Sequence, residues 1–392
     1  MPPERILIVT DEMEVGGSQR QIVHLLAGLD RQRWQPELLF FRSPSRLVDE
    51  VRRQGIEVHQ LRKRGRVDPL FLLAYAALLR RRRFALVHAF SLTAELWSTI
   101  AATIAMSPRR RPALVASVRG LYLDASHTFW RIKRFIALRS CAVVANAQAC
   151  ADAAAAGTGV ERRRFEVVPN GILVAPPLDD SARERTERGI GRPPGRPFAL
   201  FVGRLVEVKN LPCLIRALAR LPREQRPWLA LAGDGPMRPR LAQQVAAAGL
   251  KADVRFLGER DDAVALMQIA DMLVLPSWQE GMSNAVMEAM AAGCPVVASA
   301  VGGNVELIDP ERTGLLFASD DDAELALCLQ RLGGHPSLRQ RLAGAARERM
   351  LATHSIARMI AGTGRIYERC IRQVRPAPAG EGAARAAAKG DA

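Results

Sequence analysis

Aromatic residues are scarce, cysteines are few, and acidic charge falls well short of basic. Aromatics make up 5% of the chain, with three Tyr, five Trp and twelve Phe scattered along it, so the stacking platforms that read single-stranded bases have little to be built from. A nucleic-acid-binding protein is disfavoured, and no nucleic-acid partner is expected. The six cysteines, Cys141, Cys150, Cys213, Cys294, Cys328 and Cys370, show no C-x-x-C spacing. Several lie in Ala/Leu/Val-rich surroundings that suit buried free thiols, which points to a reducing, cytoplasmic setting and away from a metal cluster. No apolar run reaches the roughly 18 residues that a spanning helix needs. The opening MPPERILIVT passes straight into a strand-like stretch without the apolar core of a secretory leader.

The shortage of acid leaves a formal net charge of +16, unevenly placed: residues 1–178 hold 27 Lys+Arg against 15 Asp+Glu, and 179–392 hold 29 against 25. The excess gathers in Arg62-Lys63-Arg64, Arg80 to Arg83, Arg109 to Arg111, Arg131-Ile132-Lys133-Arg134 and Arg162 to Arg164. Such a field attracts phosphates and anionic headgroups, so peripheral contact with an anionic membrane face is expected. The competing reading is that arginines at helix ends are solvated and favourable to the helix dipole. The apolar run PLFLLAYAALL at 69–79 reads as a buried crossover helix in preference to an interfacial one.

At 392 residues the chain exceeds one ordinary core and divides into domains. Short β-rich runs alternate with helical periods throughout, the pattern of parallel sheets covered by helices. A first series comprises RILIVT (5–10), PELLFF (36–41), IEVHQL (56–61), FALVHAF (84–90), ALVASV (113–118), CAVVA (141–145) and FEVVP (165–169). A second comprises FALFVG (198–203), WLALAG (228–233), VRFLG (254–258), MLVLP (272–276) and PVVAS (295–299). The expected division is a first α/β domain over 1–175, a Pro/Gly-rich linker over 176–196, a second α/β domain over 197–354, a helix over 355–375 and a disordered tail over 376–392.

In open α/β sheets, ligands collect beyond the carboxyl ends of the strands, and the unusual residues fall there. Gly16-Gly17 follows the first strand, with Ser18 as a plausible N-cap and a helix whose free amides face any anion. The doublet lacks the full G-x-G-x-x-G spacing, which disfavours a dinucleotide-dependent dehydrogenase. Arg204 and Lys209 leave the strand 198–203, and two loop cations suit an anion with several oxygens. In EGMSNAVMEAM (280–290), Ser283 or Asn284 caps a helix, Glu288 shares the face of Asn284 one turn on, and Glu280 precedes the cap at a strand end. Carboxylates hold sugar hydroxyls through charge-assisted hydrogen bonds. Acids at both ends and cations between them fit a nucleotide-diphosphate sugar. The one literal D-x-D, in Ser319-Asp320-Asp321-Asp322, opens a helix and reads as a dipole partner, so neither metal nor cofactor is expected.

The stretch from Glu280 to Glu288 resembles the E-x7-E motif of retaining glycosyltransferases of family 4, which have the GT-B architecture of two facing Rossmann-like domains with a cleft between them. The likeness extends over GGSQRQIVHLLAGL, VVPNGI, GRLVEVKN, LAGDGPMRPRL, VRFLGERDDAV, EGMSNAVMEAMAAGCPVVAS and VGGNVELI, in the family's order. The resemblance implies that Glu288 binds ribose hydroxyls, Glu280 touches the transferred sugar, and Arg204 and Lys209 neutralise the diphosphate. It also implies that Gly281, Met282, Ser283 and Gly17 offer amides, that Gly16, Asn284, Arg119 and Asn170 line the substrate, and that a C-terminal helix over 355–374 returns to the first domain. Many relatives have a second glycine at Ser283 and a histidine at Arg119. The latter position faces the transferred sugar in those relatives, so Arg119 would meet a carboxylate or phosphate on donor or acceptor. The implied activity is retaining, metal-independent sugar transfer to a saccharide or lipid-linked acceptor in surface polysaccharide or glycolipid synthesis. A non-hydrolysing nucleotide-sugar epimerase shares the architecture and is the alternative.

Overall fold

The computed structural model describes residues 2–375 apart from Val15, Ser43, Arg66, Pro108 and Arg109. The expected tail at 376–392 and Arg109 of the basic runs lie outside the described residues.

Two parallel sheets are built from the two series of strands. The first contains β1 (Glu4–Thr10), β2 (Trp34–Phe40), β3 (Glu57–Gln60), β4 (Leu86–Ala89), β5 (Ala113–Val118), β6 (Ala142–Ala145) and β7 (Phe165–Val167), in the order β3-β2-β1-β4-β5-β6-β7. The second contains β8 (Phe198–Val202), β9 (Trp228–Ala232), β10 (Val254–Gly258), β11 (Met272–Leu275), β12 (Val296–Ser299) and β13 (Leu315–Phe317), in the order β10-β9-β8-β11-β12-β13. Helices cover both faces, so the strands are apolar on both sides: Ile6 to Val9 of β1 and Phe198 to Phe201 of β8 are fully buried. At about 1.5–3 kcal/mol per large apolar side chain buried, these two strands anchor their sheets.

The chain order reverses between β1 and β4 and again between β8 and β11, and connections diverge at each reversal to leave a crevice at the carboxyl ends of the strands. The loops at those ends meet across one inter-domain cleft. The chain crosses between the domains twice, and the crossings are tied side by side: Ile172 N–H donates to His354 O at 2.8 Å, and Ile172 bridges Ser355. Gly171 is required there, since a β-carbon would lie 2.7 Å from Ile356 Cα. The helix Ile356–Val374 then buries Met359, Ile366, Tyr367 and Cys370 in the core of the first sheet. The Pro-rich stretch between the sheets contains the helix Asp180–Ile190, capped by Asp179 and ended by Gly191 in the left-handed region.

The helix Pro69–Arg82 departs from the fully buried reading. It buries Phe71, Tyr75, Ala76 and Leu79, whereas Leu70 and Leu73 face outward, as does Val67 just before it. The basic runs also divide. Lys133 is buried against Glu95 at 2.7 Å and is no part of a surface field. Arg82 pairs with Glu37 and Glu57, Arg162 with Asp152, and Arg163 with Glu161. Arg62, Arg64, Arg80, Arg81 and Arg83 remain exposed.

Candidate functional site

The loop leaving β8 places both candidate cations. Gly203 and Gly233 adopt positive φ, and a β-carbon on Gly233 would lie 1.9 Å from Gly203 O, so the loops after β8 and β9 stack backbone on backbone. The turn Glu207–Lys209 ends at Asn210, held in the left-handed region at φ 46 with its buried side chain donating to Asp320 Oδ1 at 3.0 Å. An Asn tolerates that conformation better than most residues. Lys209 is thereby aimed at Glu280: Nζ lies 2.5 Å from Oε1. Arg204 is exposed and makes no ion pair among the described residues. Its charge reaches across the cleft to Glu12, whose carboxyl is pushed up by burial and by neighbouring Asp11 and Glu14, and pulled back by Arg42 and Arg204.

Ser277 donates to the same Glu280 oxygen at 2.6 Å. Both partners therefore hold Oε1 and leave Oε2 without a hydrogen bond among the described residues. The loop itself rests on Gly302-Gly303, where a β-carbon on Gly302 would lie 1.9 Å from Glu280 O and one on Gly303 1.9 Å from Gly281 O. Met282 is buried in the second domain's core, and Ser283 is the N-cap of the helix Asn284–Ala292. That helix hides Val286, Met287, Ala289, Met290 and Ala291 and ends at Gly293, φ 76.

Its remaining face carries Asn284 and Glu288, one turn apart and turned to the first domain. Asn284 donates to Gly17 O at 3.0 Å and accepts from Asn170 Nδ2 at 2.9 Å and Gln21 Nε2 at 3.4 Å. Glu288 is nearly buried; burial raises its carboxyl above the usual range, and Arg20, 3.9 Å away, only partly offsets this. The cap of the facing helix Gly17–Gly28 is Gly16, without a side-chain hydrogen bond, which corrects the expectation that Ser18 would serve. A β-carbon on Gly17 would fall 2.9 Å from Asn284 Nδ2, so a side chain there would displace the Asn284 amide. Arg119 leaves β5 and donates from Nη1 to Asn170 Oδ1 at 2.8 Å.

The structure therefore gathers Gly16, Gly17, Arg119 and Asn170 against Glu280, Gly281, Asn284 and Glu288 at one cleft, with Lys209 on Glu280 and Arg204 at the rim. Sequence reasoning missed the residues that join the halves. Gln21, held within the first domain by Gly171 O at 2.9 Å and Gly171 N–H at 3.0 Å, donates across the cleft to Asn284 Oδ1 at 3.4 Å. Gln279 reaches Asp124 at 2.7 Å. Glu306 caps the helix Gln148–Thr158 of the opposite domain, accepting from Gln148 N–H at 2.9 Å and Ala149 N–H at 2.8 Å. The only local signal for that contact was a helix start with Ala147 where a capping side chain belongs. The D-x-D residues are engaged elsewhere: Asp321 caps the helix Asp322–Gly334, Asp320 pairs with Arg216, and Asp322 with Arg220.

Two sequence families match the chain: one described as Glycosyltransferase Family 4 over residues 15–176, and one described as Glycosyl transferases group 1 over residues 182–349. The chain is 29% identical over 310 residues to the putative glycosyltransferase EpsF of Bacillus subtilis, covering 76% of this chain and 79% of that one. It is 34% identical over 188 residues to the lipopolysaccharide core biosynthesis glycosyltransferase LpsD of Rhizobium meliloti, covering 48% of this chain and about half, 52%, of LpsD. Among solved structures, Anabaena HepE in complex with UDP and glucose superposes with a TM-score of 0.85 at 22% identity, over 93% of this chain and all of that one.

Proposed function

This chain belongs to glycosyltransferase family 4 and works on nucleotide sugars; from that premise we propose that it moves a sugar from a UDP- or GDP-linked donor, with retention of configuration and without a metal ion, to a saccharide or lipid-linked saccharide. The observation that carries this reading is the pairing of two carboxylates around one helix N-terminus. Glu280 is held on a single oxygen by Lys209 and Ser277 so that the other stays available, and Glu288 lies one face along, turned to the first domain. Glu288 would take the ribose hydroxyls and Glu280 the hydroxyls of the sugar. The pyrophosphate would lie between them against Arg204, Lys209 and the amides of Gly17 and Gly281 to Ser283.

Breaking the bond between the anomeric carbon and the phosphate oxygen leaves a nucleoside diphosphate. The largest useful effect is to stabilise charge growing on that oxygen, and Arg204 with Lys209 supplies it from protein groups alone. The cation of Lys209 occupies Glu280, which supports Glu280 as a hydroxyl acceptor over a covalent nucleophile. We therefore read attack on the face the leaving group departs from, with the acceptor proton passing to the departing phosphate oxygen.

A thermal-shift panel of UDP, GDP and their sugars tests the donor. At a concentration 100-fold above Kd, the true donor should add about 2.7 kcal/mol of stability, and Glu288→Ala should remove most of that shift. If no UDP or GDP compound raises the melting temperature, the donor reading fails. Product anomer analysis by NMR decides retention, and conversion of donor without acceptor would favour the epimerase.

The acceptor reading extends to a lipid-linked saccharide of a surface polysaccharide, in line with the name of LpsD. Val67, Leu70 and Leu73, 78%, 74% and 60% exposed, lie in the chain between the exposed arginines Arg62 and Arg64 and those at Arg80, Arg81 and Arg83, in the segment that follows β3. That combination suits the anionic inner face of a membrane. No helix among the described residues is long and apolar enough to cross one. Co-sedimentation with vesicles rich in phosphatidylglycerol should be strong at low salt and fall in Leu70→Gln/Leu73→Gln; equal recovery with neutral vesicles would remove the proposal.

A further inference from the structure

Arg119 lies in the cleft with no ion-pair partner among the described residues. Its guanidinium carbon is 4.7 Å from the centre of the Phe90 ring, beyond the end of β4, and one nitrogen reaches Asn170. Nε is sealed from solvent and has no hydrogen-bond partner among the described residues. No carboxylate pairs with the guanidinium among the described residues. Its near neighbours are neutral: His88 is held well below its usual range by burial and by Arg119 itself, and burial pushes the Cys150 thiol up to about 12. Burial lowers Arg119 to about 10, which still leaves it charged at neutral pH.

A partly buried cation without a counter-ion is unfavourable, and a bound anion would offset that. Two buried acceptors are likewise without donors among the described residues. Asn146 Oδ1 is buried and unpaired, and its backbone N–H bonds Val118 O, next to Arg119. Asn304 Oδ1 is the counterpart on the second domain, two residues before the Glu306 that caps Gln148. The orphaned cationic donor of Arg119 matches an anionic group. The spot lies directly behind Gly281: a β-carbon there would come within 2.6 Å of Arg119 O, so the Glu280 loop presses on this floor.

We propose that Arg119 receives an anionic group, a carboxylate or phosphate ester, on the carbohydrate that enters the cleft. The inference rests on the nucleotide-sugar reading of the site and narrows its substrate to an acidic saccharide on the donor or the acceptor side.

Titration calorimetry can separate the sources. Donor-side probes are UDP, UDP-glucose and UDP-glucuronic acid, with the GDP-sugars GDP-mannose and GDP-mannuronic acid alongside. Acceptor-side probes, added with UDP present, are glucose and glucose 6-phosphate. One charged probe should bind at least about tenfold tighter than its neutral counterpart, the range of a hydrogen-bonded charge. Arg119→Met should abolish that preference while leaving affinity for UDP alone unchanged. Arg119→Lys, which keeps the charge, should retain part of the preference and guards against a Met variant that fails to fold. Equal binding of charged and neutral probes by the unmodified protein would overturn the proposal, as would a preference that survives Arg119→Met or an equal loss of UDP itself. Absence of binding by every UDP and GDP compound would sink the donor reading and this inference together, whereas nucleotide binding without charge preference would sink only the inference.

Discussion

Lys209→Ala should lower turnover by about 10²–10³-fold, the usual loss when one preorganised electrostatic group is removed from a site of charge development, while the melting temperature shifts by only a few degrees. Lys209 has two duties in this geometry. It is the single cation within ion-pair distance of Glu280 among the described residues, the Glu280 side chain being only 10% exposed, and it stands beside the span where the pyrophosphate would lie. Without it Glu280 keeps the Ser277 hydroxyl alone, so the carboxylate loses the partner that fixes its rotamer as the donor phosphate loses a counter-charge. Glu280→Ala should cost a similar factor because it frees Lys209 to wander. The double variant should then be little worse than either single one, since groups that act as a unit are far from additive. Release of nucleoside diphosphate, followed together with thermal melting, measures this. Near-normal turnover in both single variants would remove Lys209 and Glu280 from the chemistry.

The parts of this arrangement differ in how far they could be read from the chain. Strands with continuous apolar runs, such as Ile6 to Val9, announced themselves because both faces of a parallel sheet are buried. β13, Leu315–Phe317, is three residues long and carries too little pattern to be recognised. Glycines and charges at strand ends marked the loops of the candidate site, because nothing in folding asks for Arg204 or Glu280 there. The contacts that close the cleft were invisible. Glu306 and Gln148 are 158 residues apart, Gln21 and Asn284 are 263 apart, and no local period encodes such a pair. Local rules also misled where the other domain intervenes. Ser18 is the better cap by propensity, yet Gly16 serves, because the start of that helix faces Asn284 across the cleft. In the same way Lys133 read as one of a basic run, but the fold buries it against Glu95, 38 residues away. What the sequence conveys is the chemistry of each half, and what the structure adds is how the halves meet.

Gly303→Ala tests that junction without touching any candidate ligand group. Gly303 has φ −68 and ψ −11, a conformation alanine adopts freely, so any effect is purely steric. The new β-carbon would lie 1.9 Å from Gly281 O, 2.9 Å from Gly281 C and 3.1 Å from Met282 Cα. All three are backbone atoms, and no side-chain rotation can relieve the contact. The loop 280–283 has to retreat by roughly 1 Å or more, carrying Glu280 away from Lys209 and Ser283 away from the helix it caps. Overpacking of this kind costs about 1–3 kcal/mol in stability, and a displacement near 1 Å at a reacting centre can cost about 10²-fold in rate. Turnover should therefore fall far more than stability alone explains, with donor affinity falling alongside. Gly344→Ala is the matched control: this glycine lies in the helix Pro336–Thr353 with nothing within 4 Å of a β-carbon, so alanine there should add about 0.5–1 kcal/mol and leave turnover unchanged. If Gly303→Ala keeps both full activity and the original melting temperature, the Glu280 loop does not depend on Gly302-Gly303 for its position, and the backbone cradle has no part in holding the carboxylate.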